Sequence, residues 1–259
     1  MEAKEQGKLI LAKVNDKIKY CRNRNKIVNT EFLDIYSQNM ILKELEKIKE
    51  KNYIFKSAYQ EAERKILIIY PEKLTQEIVE ESINNIINVI KIKLPNEQIG
   101  KYHHKDYLGI IMQFGLERER IGDIIVYDDK AYIIVMQENA QYIRDSLLDT
   151  RQFKKSKIEI IETSEIEVKE KEFEEIKITI NSPRLDNFVS EIAKISRKET
   201  KKLIEEEQVI VNYQPETKQT KIINQGDIIT IRKKGKFIVD EFKNINRNNK
   251  QVVILKKYK

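Results

Sequence analysis

Basic side chains gather at the start of one predicted helix, where they could bind phosphate groups. Ser196 caps this helix, and Glu199 completes a capping box three residues later. At 100° per residue, four cations fall within an arc of roughly 140°: Arg197, Lys198, Lys201 and Lys202. Cations in a first turn oppose the helix dipole, but together with free backbone N–H groups they suit an anion. The alternative is an ordinary charged face, which Glu205 and Glu206 support.

Other polar side chains nearby could serve the same phosphate chemistry. Arg184 precedes the helix before this one, and a later predicted strand ends in Lys233, Lys234 and Lys236. Asn212 closes another predicted strand. We expect its amide to hydrogen-bond its own turn, with contact to a nucleobase as the less favoured role.

The middle of the chain holds a second group of polar candidates: Lys101, His104, Lys105, Arg118 and Arg120. Glu117 and Glu119 alternate with the two arginines, so a solvated loop explains them equally well. Adjacent histidine side chains diverge, and one cysteine cannot complete a zinc site, so no metal is expected. The seven glycines form neither GxGxxG nor a P-loop, which argues against nucleotide cofactors.

The basic residues must be positioned by two short helices and the strands that follow. Leu185 to Ile195 places apolar residues at three- and four-residue steps, which predicts one amphipathic helix that starts at Ser182 and Pro183. We predict two strands after the helices, at Val209 to Asn212 and at Ile228 to Arg232, and a tight turn at Gly226 and Asp227.

Charge is distributed unevenly along the 259 residues, whose net charge is +7. From Ser182 onward there are 18 Lys and Arg against 10 Asp and Glu, so this part carries +8 and the first 181 residues carry −1. Such a pattern indicates a polyanionic partner. The single Cys21 and the absence of a long apolar run predict a cytoplasmic protein without a membrane span or signal peptide.

Earlier segments read as two further parts of an α+β protein. We predict an α-rich unit with a small sheet over residues 1–86, helical from Asp16 to Asn52 with Thr30 as an N-cap, and a buried strand at Lys65 to Tyr70. Residues 87–163 read as βαββαβ, the order of a ferredoxin-like or RRM-like domain. Residues 164–181 read as a linker that becomes a strand, and residues 182–259 as a C-terminal domain.

The C-terminal pattern resembles the αL RNA-binding domain, first described in ribosomal small-subunit protein four. The matching pieces are RLD at Arg184 to Asp186, SR at Ser196–Arg197, LI at Leu203–Ile204, VxVN at Val209 to Asn212, and GD at Gly226–Asp227. Through this resemblance the phosphate-binding candidates become RNA-binding candidates: Arg184, Ser196, Arg197, Lys198, Lys201, Lys202, Asn212, Lys233, Lys234 and Lys236. The family usually has Gly at the position of Glu207, and Glu would be strained in a left-handed cap, so we expect that helix end to differ.

Two earlier segments resemble the YlmH family of bacterial proteins. They are AERK at residues 62–65 and HHKDYLGIIMQFGLERERIGDI at residues 103–124, with Lys105 where the family usually has Arg. The resemblance implies a cytoplasmic RNA-binding protein that binds ribosomal RNA or tRNA on the large ribosomal subunit. It further implies a role in rescuing stalled translation, that is, ribosome-associated quality control, and genes near cell-division genes.

We therefore expect a monomeric, non-catalytic RNA-binding factor, with Lys101, His104, Lys105, Arg118 and Arg120 as secondary RNA contacts. Pseudouridine synthases need a GRLDxxTxG-like segment, but Arg184 to Asp186 is followed by Asn187, and methyltransferases need a glycine-rich loop that is absent. Two alternatives stay open: an RNA-modifying enzyme with an unrecognised active site, and a cell-division adaptor protein.

Overall fold

Two units make up the chain, residues 1–168 and residues 169–259. The computed structural model describes residues 2–82, 86–168, 172–245 and 250–258. Helices and antiparallel sheets occur in both units, so the predicted α+β class is confirmed. The finer division at residues 86, 163 and 181 stays a prediction.

The first part of unit 1 is a three-stranded antiparallel sheet, in the order β1-β3-β2, with its first two helices on one face. Its elements are Glu2–Arg24 (α1), Val28–Leu33 (β1), Ile35–Lys47 (α2), Tyr53–Lys56 (β2), Lys65–Ile69 (β3) and Gln76–Ser82 (α3). Val14 and Ile18 of α1 pack with Ile41 and Leu45 of α2 against Leu67 of the central strand. The apolar run at residues 65–70 therefore forms the predicted buried strand.

The predicted helix from Asp16 to Asn52 is wrong in its middle, where β1 separates two helices. Thr30 is not an N-cap: its Oγ1 accepts a hydrogen bond from Leu67 N at 2.9 Å inside the sheet. The cap of α2 is Asp34, whose Oδ1 accepts from Ser37 N at 2.8 Å. Pairing with β3 thus overrides the helical spacing of this segment.

The second part of unit 1 follows the predicted order of strands and helices. Its elements are Ile87–Lys93 (β4), His104–Met112 (α4), Ile121–Val126 (β5), Lys130–Met136 (β6), Gln137–Asp149 (α5) and Lys157–Ile161 (β7). The sheet is antiparallel in the order β5-β6-β4-β7. Tyr107 and Ile111 of α4 and Ile143 and Leu147 of α5 are fully buried on one of its faces.

The other face of this sheet packs on the first sheet. Phe32 and Ile66 share an apolar cluster with Tyr132 and Ile134, all of them buried. A Cβ atom on Gly122 would lie 2.9 Å from Phe32 Cε1 and from Ile134 Cγ2, so the two layers meet closely there. An RRM binds bases on the open face of its sheet. Here most of that face is covered.

Unit 2 is a six-stranded sheet, in the order β10-β9-β11-β12-β13-β8, with two helices on one face. Its elements are Phe173–Ile180 (β8), Leu185–Ala193 (α6), Arg197–Glu205 (α7), Val209–Val211 (β9), Gln214–Pro215 (β10), Ile228–Ile231 (β11), Gly235–Ile245 (β12) and Gln251–Tyr258 (β13). Phe188 of α6 and Ile204 of α7 are buried with Ile229 and Phe237 of the sheet. The apolar stripes of both helices therefore form the core, as their spacing predicts.

The start of α6 differs from the prediction of a Ser182 cap. Its N-cap is Arg184, which makes no side-chain capping bond. Leu185 N donates instead to Lys221 O at 2.8 Å, and Asp186 N donates to Gln219 O at 3.1 Å. A loop distant in sequence thus satisfies the first helical N–H groups, which a local capping rule cannot anticipate.

The end of α7 does not change shape to suit Glu207. This residue has a φ of 56°, the left-handed conformation that favours glycine. Glu207 N donates to Ile204 O at 3.1 Å, and Gln208 N donates to Leu203 O at 3.0 Å. These two bonds close the helix, and the expectation of a different helix end was wrong.

The segment at residues 164–181, predicted as a linker that becomes a strand, contributes a full strand to unit 2. β8 pairs with β13 from Phe173 opposite Tyr258 to Ile180 opposite Gln251. Ile178 and Ile180 are buried in the core of the unit. Residues 169–171 of the predicted linker lie outside the described residues.

Candidate nucleic-acid interface

The start of α7 presents two unpaired cations above a well-ordered cap. Ser196 Oγ accepts from Glu199 N at 3.3 Å, and Glu199 Oε2 accepts from Ser196 N at 2.9 Å, so the predicted capping box is present. Hydrogen bonds from Ser196 lower the pKa of the Glu199 carboxyl. Arg197 and Lys198 are exposed and form no ion pair within the described residues.

The next two cations of α7 are paired on their own helix. Lys201 Nζ lies 3.7 Å from Glu205 Oε1, and Lys202 Nζ lies 3.8 Å from Glu206 Oε1. Exposed pairs of this spacing contribute only tenths of a kcal/mol, roughly 0.3–0.5. A phosphate could therefore compete for these lysines, but the glutamates lower the local positive potential. The first turn of α7 therefore attracts an anion more strongly than the later turns do.

A second group of exposed cations lies in the turn between β11 and β12. Arg232, Lys233 and Lys234 are exposed, and they form no ion pair with any described residue. Arg232 N donates to Gln208 O at 3.0 Å, which ties this turn to the segment that follows α7. The turn therefore borders the end of α7, whereas Arg197 and Lys198 stand at the start of that helix.

Lys236 is placed differently from its neighbours in the sequence. Its Nζ lies 4.6 Å from the ring centroid of Tyr213 and 4.7 Å from that of Tyr258. Two cation–π contacts of this kind hold an ammonium group against the protein. We therefore give Lys236 a structural role as well as its predicted RNA contact.

Arg184 and Asn212, both predicted RNA contacts, use their side chains within unit 2. Arg184 Nη2 donates to Asp186 Oδ2 at 2.6 Å. Asn212 Nδ2 donates to Asp227 Oδ1 at 2.8 Å, and Asn212 Oδ1 accepts from Ile228 N at 2.9 Å. The expected bond of Asn212 to its own turn was wrong, because both partners of its amide belong to a turn 15 and 16 residues later in the chain.

The predicted secondary contacts in unit 1 fall into two groups. Lys101, His104 and Lys105 are exposed at and before the start of α4. Arg118 donates through Nη1 to the carbonyl oxygens of Ile121 and Gly122, the second at 3.2 Å, and burial lowers the pKa of its guanidinium to about 10.

Arg120 is engaged as well: it pairs with Glu138 and, at 3.3 Å, with Glu31. The structure therefore places Arg118 and Arg120 in internal contacts, while Lys101, His104 and Lys105 remain on the surface.

Asp123 joins the two segments on which the family resemblance was based. Its Oδ2 accepts from Tyr59 Oη at 2.8 Å and from Glu63 N at 2.7 Å, and its Oδ1 accepts from Arg64 N at 3.1 Å. Arg64 in turn donates through Nε to Ile121 O at 3.0 Å. The AERK and IGDI pieces thus form one hydrogen-bonded joint between the two sheets of unit 1, a role that sequence reasoning missed.

Helix α1 carries a basic outer face that the net charge of the first 181 residues conceals. Among the α1 side chains that the structure describes, from residue 7 onward, the exposed charged ones are Lys8, Lys13, Asp16, Lys19, Arg22 and Arg24. Arg22 pairs with Glu50, while no ion pair is recorded for the other four cations within the described chain. Acidic stretches elsewhere in unit 1 cancel this charge in the total.

Two classes of site find no support in the part of the chain that the structure describes. No group of three or more His, Cys, Asp or Glu side chains there could hold a metal ion. No helix of the described residues is both long and apolar enough to cross a membrane.

Comparison with known proteins finds one matching family and two similar proteins. Residues 80–175 match the family described as "Putative RNA-binding domain in YlmH". The chain is 25% identical over 230 residues to "Ribosome-associated protein quality control protein P2" of Bacillus subtilis (strain 168), covering 89% of this chain and 87% of that protein.

A solved structure is also similar, "Cell division protein ylmH from Streptococcus pneumoniae". The similarity covers 62% of this chain and 95% of that one, with 18% identity and a TM-score of 0.48.

Proposed function

The resemblance to the YlmH family is confirmed by the matched domain and by the curated relative, and on this premise we propose a non-catalytic RNA-binding factor that docks on structured RNA. The RNA would be ribosomal RNA or tRNA on the large ribosomal subunit. The role would be ribosome-associated quality control, as the name of the relative suggests, and the protein would act in the cytoplasm.

The observation that carries the docking mode is the set of unpaired, exposed cations on unit 2. Arg197 and Lys198 at the start of α7 and Lys233 and Lys234 in the β11–β12 turn meet no carboxylate among the described residues. A cation that is not paired with a carboxylate keeps its full electrostatic attraction for phosphate oxygens. The αL assignment of this unit remains a prediction, and these four residues are its primary contacts in the proposal.

Five other predicted contacts have weaker roles in the same proposal. Lys201 and Lys202 would exchange their glutamate partners for phosphate, because exposed pairs are weak. Lys101, His104 and Lys105 supply a secondary contact from unit 1, which adds avidity when both units bind one RNA. Arg118 and Arg120 are left out, since both guanidinium groups are engaged internally.

The test is a charge reversal at Arg197→Glu with Lys198→Glu in the full chain, measured as affinity for large-subunit ribosomal RNA. A matched control is Lys177→Glu with Lys243→Glu, which changes the charge equally on the face of the same sheet that lies opposite α6 and α7. We expect the first pair to weaken binding about tenfold or more at low salt and the control to have a much smaller effect. Equal losses in both pairs would contradict docking through α7.

A further inference from the structure

A row of lysines crosses the sheet of the domain matched as RNA-binding, next to the region that the first sheet covers. Lys93 of β4 stands opposite Lys130 of β6 on one side and opposite Lys157 of β7 on the other. Lys91 lies two residues earlier on the same strand, hence on the same face. Like charges directly across from each other destabilise a sheet, so this row costs stability unless an anion offsets it.

Two tyrosines lie among these lysines. Lys130 Nζ is 5.5 Å from the ring centroid of Tyr127 and 5.9 Å from that of Tyr132, and Lys91 Nζ is 5.7 Å from the Tyr132 centroid. The two rings meet edge to face at 6.0 Å. Lysines interleaved with aromatic rings on a sheet are the combination that proteins use to hold single-stranded nucleic acid.

An acidic segment of the chain itself already lies on this surface. Glu167 Oε2 accepts from Lys130 Nζ at 2.6 Å, Glu167 Oε1 accepts from Tyr132 Oη at 3.2 Å, and the backbone oxygen of Glu167 accepts from Tyr127 Oη at 2.5 Å. The hydrogen bond from Lys130, followed by its charge, lowers the pKa of the Glu167 carboxyl. The carboxylate is therefore ionised and stands where a phosphate oxygen would stand.

The contacts of Glu167 are weak enough to be displaced. Its side chain is 64% exposed, and the residue lies in the short segment after β7, outside any strand. Lys93 and Lys157, which follow Lys130 across the sheet, are exposed; Lys157 pairs with Glu159 at 2.8 Å, while Lys93 forms no ion pair within the described residues. An incoming phosphate would thus meet one unpaired lysine at once and two more by exchange.

We propose that this lysine–tyrosine strip, defined by Lys91, Lys93, Tyr127, Lys130, Tyr132 and Lys157, is a second RNA-binding surface that Glu167 partly occupies. The strip would hold an unpaired stretch of RNA, with phosphates on the lysines and a base against the ring of Tyr127. Tyr132 is fully buried, so its ring contacts Lys91 and Lys130 but would not meet a base. The inference rests on the proposed function, but it concerns unit 1 and needs none of the cations of α7.

The experiment measures the affinity of the full chain for large-subunit ribosomal RNA. The variants change the charge of the strip in opposite directions. Lys93→Glu with Lys157→Glu should weaken binding about tenfold, and Glu167→Gln should strengthen it about threefold, because one competing charge is removed. Lys43→Glu with Lys47→Glu is the matched control, since these exposed lysines lie on α2 among acidic neighbours. Ultraviolet crosslinking to the same RNA, with mass analysis of peptides, should identify Tyr127 or Lys93 in the native chain.

The outcomes separate this inference from the docking proposal. Unchanged affinity in the Lys93/Lys157 and Glu167 variants, with crosslinks confined to unit 2, would overturn the strip and leave docking through α7 intact. Loss in the strip variants without loss in the Arg197/Lys198 pair would support the strip and overturn docking through α7. A Lys93/Lys157 variant that fails to fold leaves Glu167→Gln and the crosslinks to decide.

Discussion

Asn212 and Asp227 hold two turns of unit 2 together, with Asn212 Nδ2 donating to Asp227 Oδ1 at 2.8 Å. Asp227 also accepts from Asn224 N at 2.7 Å, and Asn212 accepts from Ile228 N at 2.9 Å. Two sequence pieces that resemble the αL domain, VxVN and GD, are therefore one hydrogen-bonded unit at the end of β9 and the start of β11. The pair therefore fixes the shape of unit 2 at this point.

Replacing Asn212 by alanine should lower the free energy of unfolding by about 1–2 kcal/mol, because two hydrogen bonds are lost and alanine is strained at a φ of 48°. Asn212→Gly removes the same bonds without the strain, so it should cost less than Asn212→Ala. Denaturant unfolding of the three proteins checks this order. A variant as stable as the native chain but weaker in RNA binding would instead point to base contact.

Glu207→Gly should raise the free energy of unfolding by about 0.5–1 kcal/mol. Relief of left-handed strain is worth about 1–2 kcal/mol, and the added freedom of glycine in the unfolded chain offsets about half of that. Glu206→Gly is the matched control, since its φ of −85° needs no glycine and the change should destabilise. Thermal melts of both variants give the comparison, and a less stable Glu207→Gly would contradict the strain argument.

Binding to ribosomal RNA should weaken linearly on a plot of log affinity against log salt concentration. The four proposed primary contacts on unit 2, each releasing about 0.7–0.9 counterions, predict a slope of about −3 to −4. Alanine at Arg197 should reduce the slope by about one or less, and so should alanine at Lys234. Nucleoside analysis of the RNA before and after incubation provides the control for catalysis, since a new modified nucleoside would favour an enzyme.

Asp123→Asn should lower the free energy of unfolding by about 2–4 kcal/mol, because an amide nitrogen would face N–H and O–H donors that now meet a carboxylate. Tyr59→Phe removes one of the three bonds and should cost about 1 kcal/mol. Asp128→Asn, in an exposed hairpin turn, is the control and should be nearly neutral. Calorimetry distinguishes these cases, and a neutral Asp123→Asn would refute the joint between the sheets.

Acid should destabilise the native chain partly through His104. Packing around the imidazole and then the charge of Arg118 hold the pKa of His104 below its ordinary value of 6.5. The unfolded chain therefore binds this proton more readily, and stability is lost as the pH falls below the unfolded pKa. His104→Gln should reduce the loss of stability between about pH 7.5 and about pH 5.5, whereas His103→Gln should not, as denaturant midpoints would show.

Local signals predicted much of unit 2 and the order of elements in the second part of unit 1. The capping box at Ser196 and the continuous apolar run of β6 depend only on near neighbours, so the sequence revealed them. β1 was missed because its strand form depends on pairing with β3, some 35 residues away by its register. The lysine–tyrosine strip was missed for the same reason, since only strand register brings Lys93, Lys130 and Lys157 together.

The adjacency of β8 and β13 has a consequence for how unit 2 could be shared among proteins. Phe173 at the beginning of the first strand and Tyr258 in the last are opposite each other, with ring centroids 5.0 Å apart. The two ends of the described part of unit 2 therefore lie close together. A module with neighbouring points of attachment can be joined to other chains, or inserted into their loops, without opening its sheet.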